Sequence, residues 1–224
     1  MTKLLPHITL EIGKSPQHSI IWLHGLGASG EDFVPFAHEM KLPQAVRYVF
    51  PHAPRRPVTL NGGYMMPAWY DIVGLTANAR QDTTGIRITQ LEIEKLINQQ
   101  KQLGIPAKNI FLAGFSQGGA MALHTGLRTP EPLGGVIALS TYLPLAETLP
   151  AEKGAGAAAT PIFMAHGRSD PVVPYVWGKF SADLLSNLKF QLEWHEYPMP
   201  HTVSNEEMRD LQAWLSKHMA AKQH

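Results

Sequence analysis

Short, nearly continuous apolar runs alternate along the chain with longer stretches whose apolar positions recur at helical spacing. Ser19-Ile20-Ile21-Trp22-Leu23, Val46-Arg47-Tyr48-Val49-Phe50, Ile110-Phe111-Leu112-Ala113 and Gly134-Gly135-Val136-Ile137-Ala138-Leu139-Ser140 read as strands. Pro161 to Gly167 and Phe190 to Tyr197 complete the set. Strands apolar on every residue are those covered on both faces, as in a parallel sheet. Helices are predicted from about Glu31 to Met40, Arg80 to Leu103, just after Ser116 to Arg128, Tyr175 to Asn187 and Val203 to His218. In the second of these Ile86, Ile88, Leu91, Ile93, Leu96, Ile97 and Leu103 recur among Glu and Gln, with Gly104 as the terminating glycine. The last places Val203, Met208, Leu211, Trp214 and Leu215 inward.

This alternation predicts one α/β domain over residues 1–224, with a mostly parallel central sheet flanked by helices. Two stretches depart from it. Pro51 to Leu75 shows no sustained period yet carries Met65, Met66, Trp69, Tyr70, Ile72 and Leu75, which suits the apolar wall of a pocket or a satellite core equally. Ala151 to Thr160 is small and glycine-rich and is predicted to be a mobile loop.

Composition narrows the function. With 224 residues there is room for a full core, and 19 Lys and Arg against 18 Asp and Glu give a net charge of +1, so no nucleic-acid partner is expected. The absence of cysteine excludes a thiol nucleophile, disulfides and Cys-held metals. Met1 to His7 lacks the apolar run of a signal peptide and no window reaches 18 apolar residues, so a cytoplasmic protein without stable membrane insertion is expected.

The candidate chemistry centres on Gly114-Phe115-Ser116-Gln117-Gly118, a G-x-S-x-G pattern between a predicted strand and a predicted helix. So sharp a turn lifts the serine hydroxyl above the sheet, brings the strand end against the first helical turn and strains the serine backbone. A serine hydroxyl becomes a nucleophile when an imidazole takes its proton, and the imidazole needs an acid to fix its tautomer. Asp170 lies just beyond a strand end, whereas Asp183 and Asp210 fall within helices. His201 occupies a strand-to-helix loop, whereas His195 lies in a strand and His218 and His224 at the helix end and tail. Ser116, Asp170 and His201 thus form the expected catalytic set, in the expected chain order. His24-Gly25-Leu26-Gly27 closes the first apolar run, and the Leu26 main chain is a candidate oxyanion donor. His24 precedes the serine and is read as bracing that loop.

The run His24 to Phe33, Phe50-Pro51-His52-Ala53-Pro54 with Arg56 to Thr59, Met66-Pro67-Ala68-Trp69-Tyr70-Asp71, the serine motif through Gly119, Gly167 with Asp170 to Pro174, and His201 together resemble the phospholipase/carboxylesterase family, which includes acyl-protein thioesterases. The resemblance spans nearly the whole chain. It implies the α/β-hydrolase fold and hydrolysis of a small-molecule ester or thioester without metal or cofactor. It further implies catalytic roles for Ser116, Asp170 and His201, oxyanion donors at Leu26 and Gln117, and an acyl groove bordered by Met66, Trp69 and Leu75. Asn61-Gly62-Gly63-Tyr64 resembles bacterial-type esterases more than protein deacylases. A serine carboxylesterase of short- to medium-chain esters is the leading expectation, ahead of a protein deacylase or lysophospholipase and of a silent hydrolase-fold binding protein. Oligomeric state is left open, a homodimer included.

Overall fold

The computed structural model describes residues 3–74 and 79–220. Its central sheet is built around strand β2, His18–Leu23, which is buried on every residue. Side chains alternate across a strand, so Ile20 and Trp22 enter one apolar core and Ile21 and Leu23 the other. Helices cover both faces. The first core is closed by α1 (Val34–Glu39) and α6 (Asn205–Ala220), through Ala37, Leu211, Trp214 and Leu215. The second is closed by α2 (Thr83–Gln102), α3 (Gln117–Gly126) and α5 (Tyr175–Asn187), through Ile86, Ile93, Met121, Leu123 and Leu185. Asp82 caps α2 by accepting the Gly85 N–H, and Gly104 follows the helix at φ 92°. Of the apolar positions expected on that helix, Ile88, Leu91 and Leu103 face solvent instead.

The remaining strands of this sheet are β1 (His7–Ile12), β3 (Val46–Pro51), β6 (Ile110–Phe115), β7 (Gly135–Leu139), β8 (Ile162–Gly167) and β9 (Leu192–Tyr197). Their order is β1-β3-β2-β6-β7-β8-β9, parallel throughout except for β1, which pairs antiparallel with β3. From β2 the chain moves to β3 on one side, while β6 lies on the other. That reversal opens a crevice beyond the carboxyl ends of β2 and β6, where open α/β sheets bind ligands.

Strand β1 is absent from the sequence-based set. It is an edge strand, with Thr9 and Glu11 exposed and Ile8, Leu10 and Ile12 only half-buried, so its signal is alternation rather than an apolar run. The aperiodic segment after β3 holds a second small sheet, β4 (Arg55–Val58) paired antiparallel with β5 (Tyr64–Pro67). The stretch expected to be mobile is seated in the fold instead. It begins in the last residues of α4 (Leu149–Glu152), and the Gly154 N–H donates to the Leu127 carbonyl at 3.0 Å. Among the described residues no helix is long and apolar enough to cross a membrane.

Candidate active site

Strand β6 ends at Phe115 and α3 begins at Gln117, so Ser116 alone makes the bend, at φ 53° and ψ −122°. A non-glycine residue pays heavily for positive φ unless its surroundings fix it. Here the Ser116 N–H donates to the Leu139 carbonyl at 2.9 Å, and the Ser116 carbonyl accepts from Ala120 N–H at 3.0 Å and Thr141 Oγ1 at 2.7 Å. A Cβ on Gly114 would stand 2.3 Å from the Gly118 carbonyl group, which is the contact predicted across the turn. Gly118 has a further constraint that sequence reasoning did not supply. Its Cβ would stand 2.2 Å from the Leu23 carbonyl oxygen, so α3 starts in backbone contact with β2.

The loops after β8 and β9 bring Asp170 and His201 to this serine. His201 Nδ1 donates to Asp170 Oδ2 at 2.7 Å, and His201 Nε2 lies 3.0 Å from Ser116 Oγ. With Nδ1 protonated toward the carboxylate, Nε2 of the neutral ring is the acceptor for the serine proton. The other carboxylate oxygen, Oδ1, accepts the N–H groups of Val172 and Val173 at 2.8 and 2.9 Å. The Asp170 side chain is fully buried while that of His201 keeps 14% exposure, so the acid is screened and the imidazole reaches the crevice. The Phe115 ring packs on His201, with centroids 4.7 Å apart.

Beneath Asp170 lies His166, a residue for which the apolar β8 pattern carries no chemical signal. Its Nε2 donates to the Val173 carbonyl at 2.9 Å and stands 3.4 Å from Asp170 Oδ2. Burial pushes its pKa down, against the pull of the Val173 carbonyl and the Asp170 charge. The carboxylate therefore sits between two imidazoles.

His24 is a bracing residue, as expected. Its Nε2 accepts the Ala53 N–H at 3.0 Å, which leaves the proton on Nδ1 to donate to the Gly25 carbonyl at 2.7 Å. Burial lowers its pKa and keeps it neutral. Leu26 and Gln117 both border the cavity at Ser116, and among the described residues neither main-chain N–H has an acceptor. The Gln117 side chain is fully employed elsewhere: Oε1 accepts the Trp69 N–H and Nε2 donates to the Tyr70 carbonyl, both at 2.8 Å.

The cavity has a volume of about 480 Å³, and Phe33, Phe36, Leu60, Tyr70, Ile72 and Tyr142 contribute to its wall. Of the expected groove residues, Met66 and Trp69 are not part of that wall. Trp69 is fully buried, its indole N–H donating to the His24 carbonyl at 2.7 Å and its ring packed on His24. It supports the loop from behind because its one polar atom finds its partner in the backbone there. Met66 lies on β5, its sulfur near Gly27 and accepting from Asn61 Nδ2 at 3.4 Å. Leu75 lies outside the described residues. Among the described residues no group of His, Asp and Glu could hold a metal ion.

Residues 7–219 match the sequence model of the family described as phospholipase/carboxylesterase. Acyl-protein thioesterase 1 of Yarrowia lipolytica is 39% identical over 223 residues, covering 96% of this chain and 98% of that protein. A probable carboxylesterase of Oryza sativa subsp. japonica is 35% identical, covering 91% of this chain and 79% of its own length. Among solved structures, Arabidopsis thaliana SOBER1 superposes with a TM-score of 0.86 at 29% identity, covering 90% of this chain and 99% of that one. Zea mays acyl-protein thioesterase 2 gives a TM-score of 0.84 at 29% identity, with 95% and 99% covered. Matched along nearly all its length in sequence and in fold, the chain belongs to the phospholipase/carboxylesterase family.

Proposed function

We propose that this carboxylic ester hydrolase cleaves short- to medium-chain esters, and thioesters of similar length, through an acyl-enzyme on Ser116. The observation that carries the reading is the unbroken hydrogen-bonded line Asp170, His201, Ser116, ending on a cavity bordered by Leu26 and Gln117, whose main-chain N–H groups have no acceptor among the described residues. Ser116 Oγ attacks the carbonyl carbon as His201 Nε2 takes its proton, and Asp170 stabilises the imidazolium. The carbonyl electron pair moves onto oxygen, toward the Leu26 and Gln117 N–H groups. Collapse expels the alcohol or thiol, which leaves with the proton from His201. Water, activated by the same imidazole, repeats the sequence on the acyl-enzyme and releases the carboxylic acid. The mechanism calls on no metal or cofactor.

A fluorophosphonate probe tests the nucleophile. The parent is expected to label at Ser116 and Ser116→Ala is not, while turnover of p-nitrophenyl esters falls by several orders of magnitude in that variant. Folded parent that resists the probe and hydrolyses no ester overturns the reading. The 39% identity to a protein called acyl-protein thioesterase favours a second reading, removal of acyl groups from protein thiols. An S-acylated peptide beside p-nitrophenyl esters of equal chain length separates the two, a strong preference for the peptide promoting the second.

A further inference from the structure

Beside the cavity at Ser116 lies another, of about 560 Å³, bordered by Val73, Leu143, Val176, Trp177 and Phe180. The two share three side chains, Tyr70, Ile72 and Tyr142. At this shared wall the Tyr70 and Tyr142 phenol oxygens lie 3.0 Å apart. Each phenol carries a single proton. Two phenols therefore bring two protons, and the bond between them uses one. Neither oxygen has a further partner among the described residues, so the second proton finds no acceptor among them, whichever ring donates.

That surplus donor is held in place. Tyr70 is 3% exposed, and its carbonyl is tied to the side chain of Gln117, the residue after the nucleophile. The Tyr142 ring meets Trp177 edge-on at 5.8 Å. Burial pushes both phenols above their ordinary ionisation range, so both keep their protons in neutral solution. An alkyl chain laid across the pair removes water and offers no acceptor. An oxygen at the same point accepts the proton, and the difference for one buried hydroxyl corresponds to about tenfold.

We propose that Tyr70 and Tyr142 are specificity residues that select an ester arm carrying an oxygen acceptor, an ether, hydroxyl or keto oxygen part-way along its length, over an all-carbon arm of equal length. The inference rests on the acyl-enzyme reading and adds the chemistry of the substrate. It applies to whichever arm of the ester, acyl or alcohol, points toward the second cavity.

The test uses two oxygen scans. One takes p-nitrophenyl octanoate with each methylene from the fourth carbon outward replaced in turn by oxygen. The other takes acetates of octyl-length alcohols with the same replacements, followed by acid release. Each kcat/KM is divided by the hydroxide-catalysed rate of the same ester, which removes intrinsic reactivity. In one of the series the parent is expected to favour oxygen over methylene by about tenfold at one position. Each single variant, Tyr70→Phe or Tyr142→Phe, keeps one unpartnered hydroxyl and retains a ratio above one. The Tyr70→Phe/Tyr142→Phe double variant brings it to one or below. Every readout is a ratio within one protein, so a general loss of activity cancels, and the parent's own scan decides if a variant does not fold. A parent that prefers methylene at every position in both series overturns the proposal, as does a double variant that keeps the preference. Hydrolysis of plain octanoate without an oxygen preference overturns this inference alone. Inactivity on every ester overturns the acyl-enzyme reading with it.

Discussion

Two glycine pairs, one at the nucleophile turn and one in the β4–β5 hairpin, are glycine for different reasons. At the elbow, an added Cβ on Gly114 or Gly118 would stand 2.3 or 2.2 Å from another segment's backbone. In the turn between β4 and β5, Gly62 and Gly63 have nothing within 4 Å of an added Cβ, and their demand is conformational, φ 65° and 79°. The first pair sets how closely β2, β6 and α3 approach one another, and through that where Ser116 stands relative to the Leu26 loop. The second pair shapes only its own turn. The end of the molecule that holds the nucleophile is thus fixed by backbone against backbone, where no side-chain rearrangement relieves a clash. The neighbouring hairpin is fixed by local chain geometry, and its Tyr64 and Met65 are exposed. An enzyme built this way keeps its reaction constant while its surface hairpin is free to vary.

Three substitutions grade this contrast. Gly118→Ala has the largest expected effect, because the Leu23 carbonyl cannot move without parting β2 from α3. Overpacking against backbone is expected to cost about 3 kcal/mol or more in urea unfolding, with esterase activity lost in any folded remainder. Gln117→Ala comes next. It leaves the Trp69 N–H and the Tyr70 carbonyl buried without partners, at roughly 1–3 kcal/mol for each. The main-chain N–H of residue 117 survives, so its loss of kcat should be far smaller than that of Ser116→Ala. A kinetic loss as deep as the serine variant's, in folded protein, would show that the Gln117 side chain does chemistry of its own. Gly62→Ala is the mildest, with roughly 1–2 kcal/mol of left-handed backbone strain and no clash. Urea midpoints for Gly62→Ala and Gly118→Ala that coincide would erase the distinction between the two regions.

What could be read in advance followed the same division. The elbow was legible because its constraint is local, five residues whose spacing carries the geometry. Asp170 and His201 were legible through chain order and loop position, since a parallel sheet delivers every strand end to one edge. The β4–β5 pair was not, because its strands are short, Pro57 and Pro67 interrupt them, and Gly62-Gly63 reads as plain loop. Trp69 was misdirected for a plainer reason: a large apolar residue in a loop has two apolar places to go, core and pocket, and composition does not choose. The double use of Asp170 by His166 and His201, and the meeting of Tyr70 with Tyr142 across 72 residues, exist only once the sheet has assembled.

The way Ser116 is held has a consequence for how the enzyme comes into being. Its positive φ is supported by Leu139 at the end of β7 and Thr141 just beyond it, and its imidazole partner lies 85 residues away in sequence. None of these contacts is available to an isolated β6–α3 unit, and non-local pairings of this kind form late and slowly. During refolding, helical signal from α2 and α6 therefore precedes a competent serine. Regained catalysis marks the close of folding rather than its progress, and a half-assembled chain is spared a reactive hydroxyl.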